Sequence, residues 1–190
     1  MIRGIIFDCF GVLYSGSLTF FASKAPTDEG RQEVYDVNSR KDYGYISYQE
    51  YLEQPGVAIG LSAAEVDEMV HKKHVRNDAL VAYVRELKEA GYTVGLLSNM
   101  GEQTYEKLFP EDSELFDQVL LSYQEGIVKP HPAIYEMMAD RMGLSSGECV
   151  MIDDLEANCD GAEIAGMQSI QHITNERTRA FLSDMLKSEA

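Results

Sequence analysis

Long apolar runs are missing from this chain: nothing approaches the roughly 18–20 consecutive apolar residues that a bilayer-spanning helix needs. Cysteine is scarce. Cys9, Cys149 and Cys159 form an odd set without metal-ligand spacing, which points to free thiols in a reducing compartment. Basic charge is in deficit, with 16 Lys and Arg against 32 Asp and Glu, a formal net charge of -16. Such a chain would be repelled by nucleic acids and anionic membranes, so neither is an expected partner. A secretory cleavage pattern is also lacking, because Met1 leads straight into the strand-like run Ile2 to Phe7. A cytoplasmic location is the expectation.

What remains is an ordinary globular composition, 45% hydrophobic and 25% charged. The 190 residues are enough for one substantial core, or one core and a small appendage. The run Ile2 to Phe7 stops abruptly at Asp8, as expected of a strand buried on both faces of a parallel sheet. Residues 16–79 differ in texture. Ser47 with Glu50 and Ser62 with Glu65 fit capping boxes, and Pro55-Gly56 and Gly60 predict a break between the two helices. That region reads as a small all-helical insert. From Asn77 onward, helices alternate with short apolar strands: Thr93 to Leu97, Gln118 to Leu121, Cys149 to Ile152, and Gln168 to Ile173. The alternation predicts an α/β fold, a Rossmann-like doubly wound parallel sheet. The expected core is 1–15 with 80–190, and the insert 16–79.

Ligands bind outside the carboxyl ends of the strands in such sheets. The strand-terminal residues are Asp8, Ser98 with Asn99, and Asp153 with Asp154; Lys129 lies on a loop after another strand. Three converging carboxylates repel one another unless a cation joins them. Oxygen ligands of this kind suit Mg2+. Asp8 could then attack phosphorus, with Ser98, the backbone near Asn99, and Lys129 holding the phosphoryl group.

These residues carry a family resemblance. Phe7-Asp8-Cys9-Phe10-Gly11-Val12-Leu13, Leu97-Ser98-Asn99, Val128-Lys129-Pro130 and Val150-Met151-Ile152-Asp153-Asp154 resemble, in order, the four signatures of the haloacid-dehalogenase-like (HAD) hydrolases. The stretch from Gly126 to Met167 is similar to the phosphatase-like domain of soluble epoxide hydrolases and to small bacterial sugar-phosphate phosphatases. The resemblance implies Asp8 as nucleophile and metal ligand, with Phe10 lending its backbone carbonyl to the metal. It further implies Ser98 and Lys129 at the phosphoryl group, Asp154 and Asp153 at Mg2+, and Asn158 in support. The insert would be a cap that closes the site and selects the substrate.

One position departs from the family pattern. HAD phosphatases usually carry an acid/base aspartate two residues after the nucleophile; this chain has Phe10. General acid–base help is worth roughly 10²–10⁴-fold. A very good leaving group needs little of it, and Asp42, Glu50, His71 or His74 of the insert could substitute. Three readings stand: a phosphatase-like hydrolase acting on a small phosphorylated metabolite, a catalytically weak or inactive binding protein of the same fold, and a 2-haloacid dehalogenase-type hydrolase. Asp153-Asp154 favours a metal site over the last. His71 and His74 share a helix face, read as solvated; Cys9 and the methionines at 137, 138 and 142 read as structural.

Overall fold

The computed structural model describes residues 1–110 and 114–188. Its centre is a parallel sheet of five strands among the described residues: β1 (Gly4–Phe7), β2 (Thr93–Ser98), β3 (Gln118–Leu121), β4 (Cys149–Asp153) and β5 (Gln168–Gln171). They lie in the order β3-β2-β1-β4-β5. Phe7 stands level with Leu96 on one side and Ile152 on the other. Strand alternation therefore divides the apolar side chains between two faces. Ile5, Phe7, Val94, Leu96, Val150 and Ile152 enter one core, whereas Ile6, Leu97, Cys149 and Met151 enter the other. Helices cover both faces. Helix α5 (Asp78–Glu89) and α10 (Asn175–Ser188) supply Leu80, Val84 and Leu182 to the first core; α8 (Pro132–Arg141) and α9 (Glu156–Ile164) supply Ile134, Tyr135, Met138 and Ala162 to the second. The doubly wound sheet read from the sequence is the observed one. Helix α10 follows the last strand and had no counterpart in the sequence reading.

Between β1 and α5 the chain forms α1 (Leu18–Lys24), α2 (Asp28–Asp42), α3 (Tyr48–Ile59) and α4 (Ala63–Lys73). These helices have a core of their own, built on Phe21, Val34, Val37, Leu52, Val66 and Val70. Ser47 and Ser62 both make reciprocal capping boxes, with Glu50 and Glu65. The break expected at Pro55-Gly56 does not occur: α3 continues through it and ends at Gly60, whose φ of 74° is left-handed. A proline keeps a helical φ and loses one hydrogen bond. Burial of Tyr51 and Leu52 against the neighbouring helices offsets that loss.

The insert leaves and rejoins the sheet at one place. Ser15 N–H donates to the Val75 carbonyl, and Asn77 N–H to the Leu13 carbonyl, both at 2.9 Å. Farther out, the Ser122 hydroxyl accepts from Met100 N–H at 3.1 Å and donates to the Asp42 carbonyl at 2.5 Å. Ser122 begins α7 (Ser122–Glu125); α6 (Thr104–Leu108) completes the connection between β2 and β3.

Candidate active site

The strand order reverses between β1 and β4, where chain connections leave in opposite directions and open a crevice at the carboxyl ends. Asp8 follows β1 there, its N–H bonded to the Ile152 carbonyl at 2.9 Å. Its Oδ1 accepts the Cys9 N–H at 2.6 Å and lies 2.9 Å from Lys129 Nζ. The same ammonium donates to Asp153 Oδ2 at 2.5 Å. Asp153 Oδ1 in turn accepts from Leu155 N–H at 3.0 Å and Asn158 Nδ2 at 2.9 Å. Tyr135 donates from the second core to the Asn158 carbonyl at 2.7 Å. Asp153 thus accepts three protein donors, two on Oδ1 and one on Oδ2. Asp154 lies half-buried beside it.

Oxygens of Asp8, Asp153 and Asp154 all lie within 4.8 Å of one another. Burial is the first cause that holds the carboxyls of Asp8 and Asp154 above the usual carboxylate range, and the Asp153 charge adds to it. Lys129 works against the rise at Asp8. Burial would lower the Lys129 ammonium, but Asp153 and Asp8 outweigh it and raise it. One buried cation against three carboxylates leaves net negative charge, and oxygen donors alone are a set that suits a hard divalent ion.

Ser98 closes β2, fully buried, and its Oγ has no hydrogen-bond partner among the described residues. A buried hydroxyl left without a partner is costly, and this one lies at the carboxyl end of β2, the strand beside β1. Asn99 is used differently: its amide donates to the Lys129 carbonyl at 2.9 Å and its Oδ1 accepts the Lys129 N–H at 2.8 Å. This two-point clamp fixes the lysine loop to the end of β2. Gly161 lets α9 approach that loop, because a Cβ there would sit 2.4 Å from the Pro130 carbonyl oxygen. Gly11, with φ of 85°, presses on Asp154; its missing Cβ would fall 2.3 Å from the carboxyl carbon.

Above this floor lies a cavity of about 370 Å³. Asp8, Lys129 and Asp154 line one side and Asn38, Lys41 and Tyr51 of the insert the other. Phe10 also lines it, its ring 4.8 Å from that of His74. Burial first, then Lys41 and His71, lowers His74 to about 4. The sequence did not single out Asn38 or Lys41, which carry no motif; only their turn of α2 brings them to the cavity. The clamp role of Asn99 was equally hidden, because its partner lies far along the chain.

The haloacid dehalogenase-like hydrolase family matches residues 2–166. The chain belongs to that family. Among its HAD relatives is the sesquiterpene phosphatase astK of Aspergillus oryzae, 26% identical over 178 residues, spanning 91% of this chain and 90% of that protein. The glyceraldehyde 3-phosphate phosphatase of Pyrococcus abyssi is 30% identical over 102 residues, covering 47% of this chain and 43% of the relative. Two solved HAD structures share the fold. A predicted HAD-like hydrolase from Porphyromonas gingivalis superposes with a TM-score of 0.78 at 23% identity, covering 98% of both chains. The HAD enzyme bt-2542 of Bacteroides thetaiotaomicron, in complex with magnesium and inorganic phosphate, gives 0.75 at 21% identity, covering 92% of this chain and 96% of that one. No helix among the described residues of this HAD chain is long and apolar enough to cross a membrane.

Proposed function

We propose that the chain is a Mg2+-dependent phosphatase of small phosphorylated metabolites, working through an aspartyl-phosphate at Asp8. The observation that carries this reading is the buried, unpartnered Ser98 hydroxyl at the end of β2, next to the strand that presents Asp8. A tetrahedral group at Asp8 would find a donor in Ser98 and a fixed positive charge in Lys129.

The donor set fits a magnesium ion. Asp8 and Asp154 would hold it, with the Phe10 carbonyl, and Asp153 directly or through water. Bound there, Mg2+ would offset charge on the phosphoryl oxygens. The three donors that Asp153 accepts, from Lys129, Asn158 and Leu155, support a mainly positioning role for it. Lys129 favours the ionised form of Asp8 against its burial and orients the carboxylate for attack. Asn99, by gripping the lysine loop, holds that ammonium in place. Helices α1 to α4 would act as the cap, presenting α2 and α3 to the leaving group.

Release of inorganic phosphate from a panel of phosphate esters, with and without Mg2+, tests the reading. Turnover that needs the metal and disappears in Asp8→Asn is the expected result. Turnover indifferent to either change contradicts it.

A further inference from the structure

We propose that this site serves phosphoryl compounds whose leaving group departs as a stable anion without being protonated, namely acyl, enol and aryl phosphates and phosphoanhydrides. The inference deepens the phosphatase reading and rests on it.

Its ground is the state of every proton-bearing side chain that shares the cavity with Asp8 among the described residues. Apart from the site's own carboxylates and Lys129, the titratable groups there are Lys41, Asp42, Tyr48, Tyr51 and His74. Each is held inside the protein by a hydrogen bond, an ion pair or a ring contact. Tyr48 donates its hydroxyl to Asp67 at 2.6 Å. The Tyr51 ring carries the Lys41 ammonium 4.6 Å from its centre. Asp42 accepts the Asn38 amide on Oδ2 at 2.8 Å; its Oδ1 makes no hydrogen bond among the described residues and is held only by the ion pair with Lys41 Nζ at 3.2 Å. Lys41 also donates to Asn38 Oδ1 at 3.1 Å. His74 sets Nε2 3.3 Å from the Ser17 hydroxyl and lays its ring on Phe10. Two acids of the insert lie elsewhere. Glu50 is held by the Ser47 cap, and His71 contacts the Asp67 carbonyl beside a smaller pocket of about 150 Å³. Lys129 is pinned between Asp8 and Asp153. The side chain two residues from Asp8 in the chain, facing the same cavity, is a phenyl ring.

The chemistry follows. An Asp8 oxygen attacks phosphorus; a bond to the carboxylate forms while the bond to the leaving oxygen breaks, and that oxygen keeps the electron pair. No proton moves in this step. Water then attacks the aspartyl-phosphate, the Asp8–phosphorus bond breaks, inorganic phosphate leaves, and one proton passes to solvent. An enzyme that protonates its leaving group levels the difference between good and poor leaving groups, a benefit of roughly 10²–10⁴-fold. Here that levelling is missing.

The test compares kcat/KM of the full chain in Mg2+ for acetyl phosphate, 4-nitrophenyl phosphate, phenyl phosphate and glycerol phosphate, a simple alkyl ester. The expected result is a steep decline along the series, with the alkyl ester at least about 100-fold behind. Phe10→Asp should raise the alkyl ester by a comparable factor and 4-nitrophenyl phosphate far less. A wild-type series level within about tenfold would show that a proton donor operates and overturn the proposal. The wild-type series decides the matter even if the variant fails to fold. Absence of phosphate release from all four compounds would instead sink the phosphatase reading itself.

Discussion

Lys129 reaches Asp8 across the mouth of the crevice, with Nζ 2.9 Å from Oδ1, and the ammonium is completely enclosed in doing so. Among the described residues it is the cation that pairs with both Asp8 and Asp153. Replacing Lys129 with Met leaves those two charges buried and unpaired. The expected cost is about 3–5 kcal/mol. Urea denaturation without metal measures it; an unchanged midpoint would mean that the ion pair contributes nothing to folding.

Asp8→Asn separates chemistry from stability. Loss of a nucleophile lowers turnover by roughly 10³-fold or more. Burial already disfavours the ionised carboxyl at this position, so a neutral amide of the same shape should leave the denaturation midpoint level or raised. A protein that loses both activity and fold would show that the carboxylate is structural.

Magnesium should stabilise the fold by mass action. At a concentration about 100 times its dissociation constant a ligand adds about 2.7 kcal/mol, which for a chain of this size lifts Tm by roughly 5–10 °C. Asp154→Asn should abolish most of that lift. Thermal scans with Mg2+, against the same scans with a chelator, decide it.

Gly11 and Gly60 form a matched pair. Both have left-handed φ, but a Cβ at Gly60 meets nothing within 4 Å, whereas one at Gly11 collides with the Asp154 carboxyl. Gly60→Ala should cost about 1 kcal/mol from backbone strain alone. Gly11→Ala should cost more and weaken Mg2+ binding as well, read by titration calorimetry. Equal effects would deny the contact any importance.

His74 sets a pH window. Its folded value, about 4, lies below the ordinary 6.5, so between them the unfolded chain binds more protons. Stability is therefore fully present above about 6.5 and falls as pH drops toward 4. His74→Phe should flatten that slope. Denaturation midpoints taken from pH 7 to pH 4.5 reveal it, and identical slopes would refute it.

Much of the architecture was legible because the strands are short, apolar and abruptly ended: Ile2 to Phe7 stops at Asp8 and Cys149 to Ile152 at the paired aspartates. Local chemistry announced the caps at Ser47 and Ser62. Local chemistry also misled. Pro55-Gly56 carries a strong breaking signal, yet side-chain burial in α3 overrides it. The carboxylates, Ser98 and Lys129 could be found because each terminates an element or follows one. The Asn99 grip on Lys129 could not, since it depends on two backbone atoms 30 residues away. Nor could the position of Asn38, Lys41 and Asp42 at the cavity: their helical spacing permits their mutual contacts but does not tell which side of α2 faces Asp8.

The insert fills its interior from its own helices, with Phe21, Val37 and Val66 meeting one another rather than the sheet. Under the proposed function, the wall that would greet a substrate and the floor that would react with it therefore draw on different cores. Exchanging residues on the cavity-facing turns of α2 and α3 draws chiefly on the insert's own reserve of stability and reaches the other mainly where Asp42 meets Ser122. Substrate range is free to drift through evolution, or to be recombined in the laboratory, while the reacting groups keep their places.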